Sequence, residues 1–596
     1  MIRYRIDVVD VHAHLYDITL TVAEPDAEQR LSLPVWIPGS YLVREFARHL
    51  QGLVATQGSR AIDLEQLDKC TWLARCSGRG ALTLRYRAYA FDASVRTAWL
   101  DSQRGFFNGT SLCLRVEGRE REPHELQIGT LPREWQVATA MGAVKVDARG
   151  RGSYLAADYD ELVDHPFELG RFWRGRFKAH GVPHEFVVAG AQPGFDGDRL
   201  LADSKRICEA QIALWHGESD AGGKLRVKKP PFGHYLFMLN ATDEGYGGLE
   251  HRASTALIAP RRDLPRAETP KATLPDGYLQ LLGLISHEYF HTWNVKRLKP
   301  AAFTAYDYTR ENHTELLWFF EGFTSYYDDL VLVRAGLVDQ TRYLRLLAKT
   351  VNQVLGTPGR AAQSVAQASF DAWTRYYRPD ENSVNSTVSY YTKGSLVALC
   401  IDLTLRREGR TTLDGVLREL WRRSGAARGE GGINEADLLT VLQELGGRSF
   451  APELQAWVHG TGELPLAELL GPFGVNWREE APVVAQRLGA RMADSAGVLK
   501  LQSVLRGGAA ERAGLAAGDE LIAVNGWRVR RADDLLPAGA FAGAAELLAA
   551  RDQRLLTLRL EPANPAPGGA VQLSPMPAPE PAAADRRAAW LGEPRR

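Results

Sequence analysis

Cysteine is scarce in these 596 residues: Cys70, Cys76, Cys113, Cys208 and Cys400 are scattered, odd in number, and form no Cys-x-x-Cys pair. This argues against a disulfide framework and against a thiolate zinc site. Net charge is missing too, because Lys+Arg and Asp+Glu are both 72. No electrostatic case therefore exists for a nucleic-acid partner or an anionic membrane. No apolar run approaches membrane-spanning length, and the first residues lack the apolar core of a signal peptide. The expected address is the cytoplasm, or the periplasm where a leader has been removed.

What is present predicts several domains, since 596 residues exceed one hydrophobic core. Over residues 1–168 helices are few. Ile6-Asp7-Val8, residues 13–22, 81–89, 111–116 and 135–140 contain period-2 alternation, and Gly and Pro punctuate them. An antiparallel β-sandwich is the expected fold there. Within it, Asp10-Val11-His12-Ala13-His14 mimics the metal-binding end of a first barrel strand, because His12 and His14 would share a strand face. A metal-dependent barrel needs strands alternating with helices, and strand follows strand here. Two structural histidines are the expectation. In Leu33-Pro34-Val35-Trp36-Ile37-Pro38-Gly39-Ser40-Tyr41, Pro and Gly fix a sharp turn around a large aromatic. Either packing on the sandwich or approach to a substrate cleft suits it.

From 169 to 260 strands and a helix mix, ending in Gly247-Gly248-Leu249-Glu250-His251. Paired glycines allow close approach to a backbone edge, so Gly247 and Gly248 are read with Glu250 as candidate substrate-binding residues; the alternative is a glycine turn with a surface acid. Residues 278–295 read as an apolar helix carrying His287-Glu288-Tyr289-Phe290-His291. Residues four apart share a helix face, so His287 and His291 can aim at one ion, with Glu288 at its open side as general base. The basic exit Lys296-Arg297-Leu298-Lys299-Pro300 reads as an ordinary helix stop. A second helix, 314–333, sets Glu321 in an aromatic wall, and a buried carboxylate needs a partner or a metal. Catalytic zinc usually takes three protein ligands, which makes Glu321 the candidate third ligand. Residues 340–480 read as mainly helical. Tyr391, opening a helix there, is a candidate proton donor or oxyanion stabiliser, or a packed core tyrosine.

Residues 488–562 form a separate module with a short helix, a tight glycine turn, a strand and the Asn525-Gly526 hairpin signal. The Pro/Ala-rich tail that follows is expected to be disordered. The domains are thus expected at 1–168, 169–480, 481–564 and 565–596.

Five motifs in order carry a family resemblance: Trp36-Ile37-Pro38-Gly39-Ser40-Tyr41, Gly247 to His251, His287 to Arg297, Leu317 to Tyr327, and Tyr391-Thr392-Lys393-Gly394. Together they resemble the glycyl aminopeptidase family of gluzincin metallopeptidases, and residues 508–526 are similar to a bacterial PDZ domain. The resemblance implies a multidomain α+β chain: a β-sandwich, a thermolysin-like catalytic domain with a helical C-terminal part, and a PDZ domain. It implies one Zn2+ held by His287, His291 and Glu321, with Glu288 as base and Tyr391 stabilising the oxyanion. Glu250 would bind the free α-amine of peptide substrates, with small N-terminal residues, Gly and Ala, preferred. The gap between His291 and Glu321 is longer than in better-known zinc aminopeptidases. At the PDZ module, protein C-termini would add as a strand, with Leu488-Gly489-Ala490 as carboxylate loop. The alternatives are a zinc endopeptidase with a structural Glu250, or an inert peptidase fold acting as an adaptor through its PDZ domain.

Overall fold

A computed structural model describes the chain except for residues 79, 220–224, 430, 564–567 and 593–596. Two compact units result, Met1–Asn312 with Leu420–Ile433, and His313–Glu419 with Asn434–Arg596. Among the described residues no helix is long and apolar enough to cross a membrane.

In the first unit, Ile2, Tyr4, Ile6 and Val8 are buried at every second position of the strand Ile2–Asp10. That strand lies inside an eight-stranded sheet, antiparallel to Leu15–Val22 and parallel to His124–Ile128. The parallel pair departs from the all-antiparallel pattern expected. Two four-stranded sheets contribute Phe107, Phe167, Leu31 and Trp72 to the same hydrophobic core as Tyr16, Tyr86 and Leu126. The strand ends at Asp10, whose Oδ1 accepts the backbone N–H of His12 at 2.9 Å and of Ala13 at 2.8 Å. The turn so formed leaves His12 exposed, while His14 takes φ 60° and hydrogen-bonds the Leu100 carbonyl through Nδ1. The shared strand face on which a two-histidine metal site would depend does not form.

The same unit holds a five-stranded sheet in the order Phe172–Ala179, Val182–Ala189, Tyr235–Thr242, Ser254–Pro260, Gly247–Glu250. Its central pairings are parallel and both edge strands antiparallel. The helix Asp276–Phe290 is fastened at two points. Gln211 on the helix Gly197–His216 donates to the Ser286 carbonyl at 2.7 Å and to its hydroxyl at 3.0 Å. Burial pushes the His184 imidazole down to about 4, so the ring is neutral. Its Nδ1 donates to the Val182 carbonyl, and Nε2 accepts the Tyr289 hydroxyl at 2.9 Å.

In the second unit the helices Leu317–Arg334 and Thr392–Glu408 meet backbone to backbone: a Cβ on Gly322 would stand 2.6 Å from the Gly394 Cα. A separate sheet, built from Ala490–Ser495, Val498–Val504, Glu520–Val524, Ala545–Arg551 and Arg554–Leu560, has its own core around Leu499, Leu521, Val524 and Leu547. Asn385 ties this module down, donating to the Val504 carbonyl at 2.8 Å and accepting the Arg506 N–H at 2.9 Å.

The tail overturns the expectation of disorder. Val571–Pro575 pairs antiparallel with Val475–Glu479, and the Asn352 amide bonds both backbone groups of Val571. Pro581–Leu591 is a helix, with Pro at the first turn, where a missing N–H costs nothing. It buries Ala583, Arg587, Trp590 and Leu591, and the Trp590 indole N–H reaches the Tyr326 hydroxyl at 2.8 Å. Composition hid a short helical stripe that finds its partners only in the fold. The expected 564/565 boundary, and tail residues 565–567 and 593–596, lie outside the described residues.

Trp590→Ala is expected to destabilise the second unit by about 3–5 kcal/mol, the usual cost of emptying a buried tryptophan site. Urea unfolding followed by circular dichroism reads this directly; an unchanged midpoint would contradict a packed tail.

Candidate metal and substrate site

The helix expected over 278–295 ends at Phe290, and His291 closes it with φ −60°. One turn therefore still separates His287 from His291, and their ring centroids lie 4.7 Å apart. His291 Nδ1 stands 2.7 Å from the Asn294 carbonyl. A carbonyl only accepts, so Nδ1 carries the proton and Nε2 keeps the lone pair, as an imidazole metal ligand requires.

Beyond His291 the chain breaks sharply. Val295 sits at φ 136°, a strained conformation for a β-branched residue that persists only where its surroundings over-determine it. Those surroundings correct the reading of the basic exit as an ordinary helix stop. Lys296 and Lys299 are each only 7% exposed. The Lys296 Nζ lies 2.7 Å from Asp164 Oδ1, and Arg297 donates to the Thr292 and Arg252 carbonyls at 2.8 and 2.7 Å. Burial alone would raise the Asp164 carboxyl, but the Lys296 ammonium outweighs it, aided by His251 and Arg252, and holds it well below the usual carboxylate range. The partner stands 132 positions earlier in the chain, so no local pattern announces it.

Glu288 is buried with its carboxylate against the edge strand: a Cβ on Gly248 would fall 2.2 Å from Glu288 Oε1. Arg96 holds that strand by donating to the Gly248 carbonyl at 2.9 Å. Gly247 beside it takes φ 152°, where an L side chain is strained. Glu250 is no surface acid. It is 4% exposed, and among the described residues its Oε1 has no hydrogen-bond partner. Glu250, Glu288 and His291 each offer a ligand atom within 4.8 Å of the others. Two buried carboxylates this close call for a cation between them. The 36–41 loop reaches the same place, with Gly39 at φ +92° against the Glu250 carboxylate.

In the second unit, Glu321 lies on Leu317–Arg334 and is 2% exposed. The Gly322–Gly394 contact brings the start of Thr392–Glu408, and hence Tyr391, against the same helix. Burial, then the Glu321 charge, pushes the Tyr391 phenol well above its ordinary value, so it stays a protonated donor at neutral pH. Tyr390 stacks on Tyr391 at 4.7 Å, and Tyr376 lies at 5.5 Å. Sequence reading passed over Tyr376, which belongs to no motif; burial and Glu321 raise its phenol as well.

At the PDZ module, Gly489 takes φ +72° and packs against Gly508, where a Cβ would approach to 2.6 Å. Its carbonyl accepts the Leu505 N–H at 2.8 Å. Leu488 and Ala490 are buried, and Ala490–Ser495 is an edge strand, paired only with Val498–Val504 among the described residues.

Residues 3–171 match the Peptidase M61 N-terminal domain, 280–397 the M61 glycyl aminopeptidase, and 502–560 a PDZ domain. The crystal structure of an aminopeptidase N family protein from Idiomarina loihiensis superposes with a TM-score of 0.91 at 37% identity, covering 99% of this chain and 100% of that one. A Deinococcus radiodurans M1 zinc metallopeptidase shows a weaker likeness, with a TM-score of 0.45 at 15% identity over 78% of this chain and 94% of that one. Native yeast LTA4 hydrolase gives a TM-score of 0.45 at 12% identity over 79% and 70%. No curated protein sequence matches. The class is that of a metallo-aminopeptidase with an attached PDZ domain. The chain belongs to the M61 glycyl aminopeptidase family.

Asp164→Asn is expected to cost about 3–5 kcal/mol at neutral pH, because it leaves the Lys296 charge buried without its counter-ion. The carboxyl's folded value is depressed, so its contribution is complete above the unfolded value of about 4 and disappears as pH falls through the folded one. Urea unfolding of both proteins as a function of pH should show a gap that is flat from pH 5 to 8 and narrows only in strong acid.

Proposed function

We propose that the chain is a zinc aminopeptidase that removes small N-terminal residues, Gly and Ala, from peptides. The observation that carries this reading is the Glu250 carboxylate, buried within 4.8 Å of ligand atoms of Glu288 and His291. A carboxylate in that position pairs with a substrate α-ammonium and leaves little room for residues before it. His287, His291 and Glu321 would hold the ion. Two imidazoles with one carboxylate form an established donor set for catalytic zinc.

Zinc at these residues would supply Lewis acidity, polarising the scissile carbonyl and making water available as a nucleophile near neutral pH. Glu288 then takes the water's proton and passes it to the leaving amine. Tyr391, kept protonated by burial and by Glu321, donates a hydrogen bond to the oxyanion that develops on the carbonyl oxygen. Gly248 provides the space in which the Glu288 carboxylate lies. The preference for Gly draws its support from the family description alone, and Ala is added as the next smallest residue.

A free-amine glycyl peptide is expected to be cleaved at least about 100-fold faster than its N-acetylated twin, since a site built for a charged group rejects the analogue lacking it. Equal rates would make the protein an endopeptidase. Glu288→Gln is expected to lower kcat by about 10²–10⁴ with zinc content unchanged by metal analysis; full activity would overturn the role of Glu288 as base, and no peptidase activity in the unsubstituted protein would leave the PDZ domain as the working part.

The PDZ domain would take an extended protein C-terminus along the outer edge of Ala490–Ser495, with Leu488-Gly489-Ala490 receiving the carboxylate. Fluorescence polarisation should then show binding of a peptide library with free C-termini and loss of that binding on C-terminal amidation. Equal binding of both forms would contradict the carboxylate role.

A further inference from the structure

The 36–41 loop has a geometry that packing on the sandwich does not require. Gly39 takes φ +92°, and a Cβ there would stand 2.5 Å from Glu250 Oε1 and 2.7 Å from Oε2. Both carboxylate oxygens therefore lie across a bare Cα. The loop is also held so that it cannot yield. Trp36 is fully buried and its indole N–H donates to the Asp307 carbonyl at 2.8 Å. The Val35 N–H donates to the Tyr308 carbonyl at 2.9 Å, the Arg44 N–H to the Val35 carbonyl at 2.7 Å, and the Ser40 N–H to the Ile37 carbonyl at 3.0 Å. Tyr41 stacks on Phe303 with centroids 5.9 Å apart. The partners Phe303, Asp307 and Tyr308 belong to 303–308, between His291 and Glu321 in the chain, and the other two bonds close the loop on itself.

We propose that the 36–41 loop is a specificity element of the amine subsite, in which Gly39 is the surface that sets the position of the Glu250 carboxylate for an unsubstituted α-ammonium. This rests on the reading of Glu250 as the amine-binding group. Ordinary contact with a Cβ begins at 3.4 Å. With the loop pinned on both sides of the turn, any side chain at position 39 moves the carboxylate rather than the backbone, by about 1 Å. A displacement of that size at a positioning group costs up to about 100-fold. Gly39 does not touch the reacting atoms; it acts through Glu250 and is a positioning residue.

A double-mutant cycle with Gly39→Ala and Glu250→Ala tests this, using glycine p-nitroanilide and the full-length protein. Gly39→Ala should raise KM so that kcat/KM falls by about 10- to 100-fold, with kcat changed far less. In the Glu250→Ala background the same substitution should cost almost nothing, because no carboxylate remains to displace. An equal loss in both backgrounds overturns the inference, since backbone strain at φ +92° acts with or without Glu250. No loss in either background overturns it as well. Glu250→Ala leaving KM unchanged would instead sink the amine-binding reading, and this inference with it. Should Gly39→Ala not fold, Trp36→Phe removes the indole donor that anchors the loop while keeping an aromatic ring. It should raise KM several-fold only where Glu250 is intact, and an equal rise without Glu250 overturns the inference.

Discussion

The site depends on carboxylates lying against backbone that carries no side chain. Glu288 occupies the volume that a Cβ on Gly248 would fill, and Glu250 does the same at Gly39. In the second unit, Gly322 and Gly394 let two helices touch at the turn beside Glu321. Each contact places a charged group where water is largely excluded, which strengthens every electrostatic interaction made there. The same exclusion makes an uncompensated charge expensive, so the carboxylates are stable only with cations beside them.

A second constraint keeps this arrangement in place. The chain leaves the helix that carries His287 through Val295, in a conformation that costs free energy, and enters a buried ion cluster. Asp164 and Lys296 hold one another ionised there, the carboxyl lowered and the ammonium raised despite burial. Removing either charge would strand the other and release the strained turn that follows His291. Asp164 and Gly39 both lie within the segment matched by the M61 N-terminal domain. That segment therefore supplies groups at Glu250 and at the exit of the helix that carries His287, beyond being a neighbouring sandwich.

The protonation states of three buried groups follow from what surrounds them. Tyr391 is kept protonated because burial and the Glu321 charge both oppose phenolate formation. His291 carries its proton on Nδ1 because the Asn294 carbonyl can only accept. His184 is kept neutral by burial, and so receives the Tyr289 hydroxyl that pins the helix to the sheet. Each protonation state is set by what the group touches and needs no unusual residue.

The amino-acid sequence by itself determined what local spacing encodes. Alternation along Ile2–Asp10 placed one face inward, and a spacing of four put His287 and His291 on one helical face, both properties of a few consecutive residues. Ordered motifs located Glu250, Glu321 and Tyr391 without saying what surrounds them. Only the tertiary structure decided whether a charge is solvated or buried. Lys296 read as a helix stop because its partner is remote, and the Pro/Ala tail read as disordered because Trp590 finds its pocket only across the fold. His12 and His14 failed as a pair because the Asp10 carboxylate turns the chain before they can share a strand face. Gly39 shows the difference most plainly. In sequence it is a turn glycine, and only long-range packing reveals that its missing side chain is the space occupied by Glu250.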